Sequence, residues 1–485
     1  MPEGTRENLL EKMACMNAVI DFLNLIFWNY VLIYGLLAVG LYFTIRLGFL
    51  QFRHFGELFR CVIGSGETDR NGITPLQALT VSLASRVGTG NIAGVAVAIY
   101  LGGAGAVFWM WMVALVGMAT AYSESTLAQL YKVHGEGGMY RGGPAYYISR
   151  GLGLPWLGAV FAVALILAFG LVFNSVQANS IAEAMNGAFG VPKWAVGLAV
   201  AALTAAIIFG GIPQVARVAE IVVPFMAGVY LLAAIIVMLM NLTAVPDALW
   251  QIVGGAFGLT EAAGGVAGSI TAAMMNGIKR GLFSNEAGMG SAPNIAAVAT
   301  PDPHHPSSQG FVQALGVFID TILVCTATAV MILLSGVMEP GSGVTGTVLT
   351  QSALVHHFGP AGGVFVAVAI FFFAFTSIIG NYAYAENAFS YLGFGSRAGL
   401  TVLRVAALLM VVWGAIQSVA TVFNLADASM GLMATINLIA IVALSGTVAK
   451  LTRDYLAQRK AGRMPTFHLS QHPDIGRGVD PDIWR

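Results

Sequence analysis

Apolar stretches long enough to cross a bilayer fill most of this chain, and one is interrupted in its middle by Val87-Gly88-Thr89-Gly90-Asn91. Inside a bilayer no water satisfies a released N–H or C=O. Each span must therefore be a helix, and a break survives only where it lines a cavity enclosed by protein. The break has an echo, because Asn91-Ile92-Ala93-Gly94-Val95-Ala96 recurs as Asn294-Ile295-Ala296-Ala297-Val298-Ala299. Matching breaks in two halves of a membrane chain point to a transport site at the interface of inverted repeats. That favours a transporter over an enzyme.

Only 9% of the residues are charged, against about 25% in soluble domains, so the chain reads as an all-α polytopic membrane protein. Zero formal net charge argues against a nucleic-acid footprint. Cys15, Cys61 and Cys325 are too scattered for a metal site or a disulfide framework. Windows of about 20 apolar residues number about eleven: roughly 26–45, 75–101, 106–131, 156–184, 194–211, 219–240, 266–299, 309–336, 363–392, 399–420 and 426–449. The first lacks a small-residue cleavage site and reads as a retained helix.

Lys and Arg set the orientation. Arg46, Arg53, Arg60 and Arg70 follow the first span, Lys132, Arg141 and Arg150 the third, Arg217 the fifth and Arg397 the ninth; Lys450, Arg453, Arg459, Lys460 and Arg463 follow the last. The intervening loops 241–265 and 337–362 have none, and Lys193 is the exception in that set. This predicts a multi-pass inner-membrane protein with its N-terminus outside and its C-terminus in the cytoplasm. The organisation expected is a polar extension (1–15), an extra transmembrane helix with a basic loop (16–74), a first five-helix repeat (75–240), a second (241–450) and a cytoplasmic tail (451–485). Five is odd, so the second repeat is inverted. From about Gly462 the tail is polar, with Pro and Gly, and is expected to be flexible.

At the first break, carbonyls near Ala84 to Val87 suit a cation, and N–H groups of Gly88, Thr89, Gly90 and Asn91 suit a carboxylate. The alternative is that Gly88 and Gly90 serve close helix packing. Arg86 needs a partner or a water-filled cavity, in a gating or a structural ion pair. In the second break, Gly281 to Asn294, Phe283 and Met289 can wall a small pocket while Ser284 and Asn285 supply hydrogen bonds. Glu286 reads either as an ion or proton ligand or as an acceptor for freed N–H groups. Lys279 and Arg280 are expected to pair with Glu286, Glu124 or Asp320. Asp427, at the start of the last span, is expected to cap free N–H groups, and Trp109 and Trp111 to join an interfacial belt.

Gly102-Gly103-Ala104-Gly105-Ala106-Val107-Phe108-Trp109-Met110-Trp111 through Gly117 resembles the signature of the alanine or glycine:cation symporter family. The first break, Gly281 to Pro293, and Met430-Gly431-Leu432-Met433 resemble that family as well. The resemblance implies a leucine-transporter-like 5+5 inverted repeat with one extra N-terminal helix, and alternating access. It also implies uptake of a small neutral amino acid, alanine or glycine, driven by a sodium ion or, in some members, by protons. It places a sodium site between carbonyls of Ala84 and Val87 and, on the eighth core helix, the Phe373 carbonyl with the Thr376 and Ser377 hydroxyls. Without it, a Thr-Ser pair more often bonds its own preceding carbonyls. Gln177 resembles a pocket residue of the family; interhelical hydrogen bonding is the other reading.

The expectation is therefore a sodium-coupled importer holding substrate on Gly88, Thr89, Gly90, Asn91, Gln177, Phe283, Ser284, Asn285, Met289 and Gly290. The proton-coupled symporter of the same substrates is the alternative. Its partners are the amino acid, sodium and the lipid bilayer. All eight histidines fall in predicted loops or the tail, which leaves no catalytic cluster at membrane depth and disfavours an enzyme.

Overall fold

The structure, a computed structural model, describes residues 20–63, 71–135, 138–259, 266–339 and 341–484. The extension expected at 1–15 lies outside the described residues. Helix α1 spans Ile20–Arg46 and α2 Pro75–Arg86. The chain restarts after the break as α3, Gly90–Gly102, and continues as α4, Gly105–Leu130. Short α5, Pro144–Gly151, precedes α6, Pro155–Phe189, α7, Lys193–Ile208, α8, Gly211–Met240, and α9, Val245–Ala256. Helix α10, Val266–Asn285, ends at the second break, where α11 is the single turn Pro293–Ala296. Then come α12, Pro306–Ser335, α13, Gly346–Phe358, α14, Pro360–Tyr391, α15, Arg397–Ile416, α16, Val419–Ala443, and α17, Ser445–Lys460.

Eight of these, among the described residues, are long and apolar enough to cross a membrane; α3 and α7 are shorter apolar helices. Ile221, Phe225, Leu232 and Leu239 of α8 and Val402 and Leu409 of α15 stay exposed, an apolar outer surface that suits lipid and would be an association hazard in water. The chain is a multi-pass all-α membrane protein.

Helices pair across the chain: α3 packs on α10, α4 on α12, α6 on α14, and α7 on α15. Glycines in or near the family-like signatures set how closely. A Cβ on Gly277 would lie 2.3 Å from the Ala106 carbonyl oxygen, one on Gly281 2.5 Å from Val113, and one on Gly431 2.8 Å from Phe27. These positions let helix backbones approach where apolar bulk would give no advantage over lipid. Trp111 departs from the belt expected of it, since its Nε1 donates to Thr326 Oγ1 (2.8 Å) between helices.

Helices α9 and α13 occupy segments read as loops. Helix α13 buries Leu349, Thr350 and Leu354, and Thr350 Oγ1 donates to the Ile92 carbonyl (3.2 Å) just beyond the first break. At 13 residues it is too short to register as a span.

The expected flexible tail is packed. Trp484 and Phe467 are fully buried; Trp484 Nε1 donates to the Leu130 carbonyl (3.2 Å) and the Phe467 N–H to the His304 carbonyl (3.0 Å). Aromatic anchors give a polar segment enough apolar burial to offset its ordering entropy. The tail lies on the same side as the basic turn after α1, where Glu57 accepts from Tyr455 and Arg459 (3.1 Å each).

Candidate functional site

Helix α2 starts where the sequence Thr-Pro-Leu-Gln demands it. Thr74 Oγ1 accepts from the Gln77 N–H (3.0 Å) and Gln77 Oε1 accepts from the Thr74 N–H (3.1 Å), a reciprocal cap with Pro75 at the first turn. It ends at Val87, whose ψ of 81° leaves the helical region. Helix α3 resumes at Gly90 with a π-helical turn to Gly94, a feature frequent at functional sites. The released N–H groups of Gly88 and Thr89 have side-chain partners. Gly88 N–H meets Asn91 Oδ1 (3.0 Å), while Thr89 N–H and Oγ1 both donate to Gln177 Oε1 (3.0 and 2.8 Å). A Cβ on Gly88 would lie 2.2 Å from Ser377 Oγ and 2.8 Å from Gln177 Oε1. One glycine thus brings α6, α14 and the break to a point.

Of the oxygens expected to hold a cation, those of Ala84, Phe373 and Ser377 meet beside it. Ser377 Oγ lies 2.8 Å from the Ala84 carbonyl oxygen and 3.0 Å from that of Phe373. Thr376 Oγ1 instead turns to the Phe372 and Phe373 carbonyls (3.0 Å each), the local bonding common for hydroxyls in helices. Gly380 lets α14 come this near, since a Cβ there would be 2.9 Å from the Ser85 nitrogen.

The second break holds Glu286 at φ 56° with Gly288 and Gly290 also at positive φ. A non-glycine residue in that region is strained and persists where its surroundings fix it. Glu286 accepts two hydroxyls, Ser85 Oγ (2.8 Å) and Ser291 Oγ (2.5 Å), and not the freed N–H groups. Glu124 takes that task, accepting from Gly288 N–H (3.3 Å) and Asn437 Nδ2 (2.7 Å). Ser284 faces a network on a π-helical stretch of α12: its Oγ donates to Asp320 Oδ2 (2.8 Å), and Asn91 Nδ2 donates to Asp320 Oδ1 (2.5 Å). Asn285 Oδ1 closes a turn on the Ala287 N–H (3.0 Å), and its Nδ2 has no partner among the described residues. Asn294 repeats the backbone geometry of Asn91. Each N–H bonds the carbonyl three residues back, Ser291 (3.0 Å) and Gly88 (3.2 Å).

Phe283 is sandwiched where a wall was expected. It stacks on Phe173 (4.9 Å), tilts on Phe423 (5.6 Å), and sits 3.0 Å from where a Gly90 Cβ would be. Met289 is fully buried. Gly290 is not brought to this cluster; a Cβ there would meet Pro144, Asn437 and Phe161 at 2.8–2.9 Å.

Three expectations about charges are corrected. Lys279 and Arg280 pair with none of the named carboxylates but with Asp427, at 2.7 Å each. Asp427 sits inside α16, two turns from its start, so it caps nothing. It lies one turn after Phe423, and Arg280 covers the rings of Phe283 and Phe423 at 5.6 and 5.3 Å. Arg86 makes no close ion pair among the described residues: Nη1 donates to the Gln313 carbonyl (3.2 Å), and Nε and Nη2 have no hydrogen-bond partner.

On the tail side the site is covered. Asn387 Nδ2 donates to the Gly142 carbonyl (2.5 Å) and Asn294 Oδ1 (2.8 Å), and Arg141 pairs with Glu386 (3.2 Å). A cavity of ≈ 320 Å³ approaches from the other side, lined by Ala93, Asn179, Ser180, Glu183, Thr345 and Phe423 among others. Sequence reasoning missed Asp320 and Ser85 as neighbours of the break. The one signal available was a carboxylate in mid-span.

A family model described as the sodium:alanine symporter family matches residues 13–469. The chain is 49% identical over 459 residues to the amino-acid carrier protein AlsT of Bacillus subtilis, covering 95% of this chain and 96% of that one. It is 46% identical over 461 residues to the probable sodium/glutamine symporter GlnT of the same organism (94% and 95% covered). To the sodium/alanine symporter AgcS of Methanococcus maripaludis it is 39% identical over 452 residues (91% and 98% covered). A match of this extent, on a multi-pass helical chain with paired helix breaks, makes the protein a transporter and not an enzyme: it belongs to the sodium:alanine symporter family.

Proposed function

We propose that the protein couples import of a small neutral amino acid, alanine or glycine, to sodium across the inner membrane by alternating access. The observation that carries this is the meeting of Ser377 Oγ with the Ala84 carbonyl oxygen at 2.8 Å, next to a helix break rich in N–H donors. Together with the Phe373 and Val87 carbonyls and the Thr376 hydroxyl they offer the oxygen-only donor set a hard cation takes. The substrate carboxylate engages the N–H groups of Gly88 to Asn91. In their place stand two amide oxygens, Asn91 Oδ1 and Gln177 Oε1, which an incoming carboxylate displaces. The ammonium group then finds those oxygens and the carbonyls of the second break. Phe283 and Met289 limit side-chain size. A cation bound beside the carboxylate lowers the cost of burying it, and this couples the two ligands.

A 5+5 inverted repeat accounts for the helix pairing: α3 with α10, α4 with α12, α6 with α14 and α7 with α15 are counterparts five core helices apart. The tail side is the cytoplasmic side in this reading, since the basic loops gather there. Proton coupling is the second reading. It is favoured by the Glu286 carboxylate, which accepts from the hydroxyl of Ser85, the residue next to Ala84. Uptake into proteoliposomes at fixed pH, with sodium exchanged for choline, separates them: alanine or glycine uptake collapses under the sodium reading and persists under the proton reading.

A further inference from the structure

Beyond its bonds to α17 through Lys450 and Gln458, the tail touches several separate places. At one end, Phe467 N–H bonds the His304 carbonyl (3.0 Å), just after the second break. At the other, Trp484 Nε1 bonds the Leu130 carbonyl at the end of α4 (3.2 Å), and the Lys132 ammonium lies over the Trp484 ring (5.4 Å). Lys132 Nζ also holds the Ala299 carbonyl (2.9 Å), so this contact belongs to the broken-helix half. Between these ends the tail reaches across to α5. Arg150 Nη1 donates to the Gly478 carbonyl (3.1 Å), and Gly478, at φ 77°, sits so close that a Cβ would lie 2.4 Å from the Arg150 carbonyl oxygen. The Leu469 N–H to Trp484 carbonyl bond (2.9 Å) closes the segment into one unit.

Helix α5 packs on α6, and the Gly142–Pro144 turn ahead of it covers the second break: Gly142 through Asn387, Pro144 against Gly290. Opening the tail side requires that turn to move away from Asn294 and Gly290. A segment fastened to both Arg150 and the Leu130–His304 edge resists that separation. We propose that Met464–Trp484 is a strap across the cytoplasmic mouth, which holds the transporter closed on that side and releases at Arg150–Gly478 when it opens. The proposal rests on the alternating-access reading above. The device is chemically economical: two aromatic anchors hold one half, while the hydrogen bond on the α5 side is a guanidinium–carbonyl contact at an exposed edge, weak enough to break in each cycle.

Hydrogen–deuterium exchange on the full-length protein in nanodiscs, without substrate or sodium, tests it. Compared are the full chain, a chain ending before Met464, Gly478→Ala and Arg150→Ala. The expected result is exchange about fivefold faster or more at residues 142–147 and 286–294, away from the tail's hydrogen bonds to His304, Leu130 and Arg150, because the open population grows. Exchange that rises only at 130–132 and 299–305 marks mere uncovering of the contact surface and overturns the proposal; so does unchanged exchange. Should the shortened chain fail to fold, the two substitutions decide by the same criterion. Because no ligand is present, a chain that takes up no alanine or glycine but still shows this response refutes the substrate reading and leaves the strap standing.

Discussion

Two adjacent hydroxyls on α14 look equivalent in sequence and are not equivalent in space. Ser377 bridges to the Ala84 carbonyl of the broken helix, whereas Thr376 bonds only carbonyls of its own helix and approaches the Met226 sulfur (3.9 Å). Ser377→Ala is therefore expected to raise half-saturating sodium about tenfold, ~1.4 kcal/mol, with substrate affinity at saturating sodium little changed, and Thr376→Ala to do less. Sodium titrations of uptake check this; equal sodium dependence in both variants and the parent discards the cation assignment. Phe283 is the corresponding residue for size. Phe283→Ala opens space between Phe173, Phe423 and Gly90, so valine and leucine should become competitors of alanine uptake. An unchanged competition profile removes Phe283 from the pocket. The Val87 to Asn91 break itself was legible residue by residue, because glycine and asparagine interrupt an apolar helix. The partners of the break were not, since Gln177, which holds Thr89, and Ser284 and Asp320, which hold Asn91, come from three other elements far along the chain.

At the scale of elements, the interior of α16 illustrates how a charge is placed by its neighbours. Asp427 is buried together with Arg280, and Lys279 is half-buried against it. Removing the carboxylate in Asp427→Asn leaves Arg280 buried and unpaired, which costs about 3–5 kcal/mol. The thermal unfolding midpoint in detergent should fall clearly, and Arg280→Met added to Asp427→Leu should recover part of the loss. If the single variant melts like the parent, the pair is not what holds α10 to α16. The same helices show why sequence reading paired Lys279 and Arg280 wrongly. Glu286 is only six positions from Arg280, but the helix ends at Asn285 and the chain turns away through positive φ, so nearness in sequence is lost at the break. Helix α13 went unread for a different reason: it is short, and Thr350 and Gln351 interrupt its apolar face although both are buried.

For the whole molecule, the tail and the segment around His305 form a cap that makes stability on the tail side depend on pH. Burial lowers the pKa of His305 from 6.5, against the opposing pull of Asp454 at 3.2 Å, with His472 and His304 adding to the lowering. A histidine lowered in the folded state binds fewer protons there than when unfolded. Its contribution is thus fully present above 6.5 and is lost as pH falls from 6.5 toward the folded value. The unfolding midpoint should drop between pH 7.5 and 5.5, and the drop should shrink in His305→Gln; an identical pH response in the two proteins rules His305 out. Sequence alone determined that this chain lives in a membrane, that it is helical and where its two breaks lie. Those follow from local rules, because lipid forces every span to satisfy its own backbone and tolerates polar interruptions only at a site. Only the tertiary structure decided that Asp427 neutralises Lys279 and Arg280, that Asp320 holds Asn91 and Ser284, and that the tail is packed. Each is a contact between segments tens to hundreds of residues apart, set by which helix faces meet, and nothing in the spacing of residues along one helix encodes that choice.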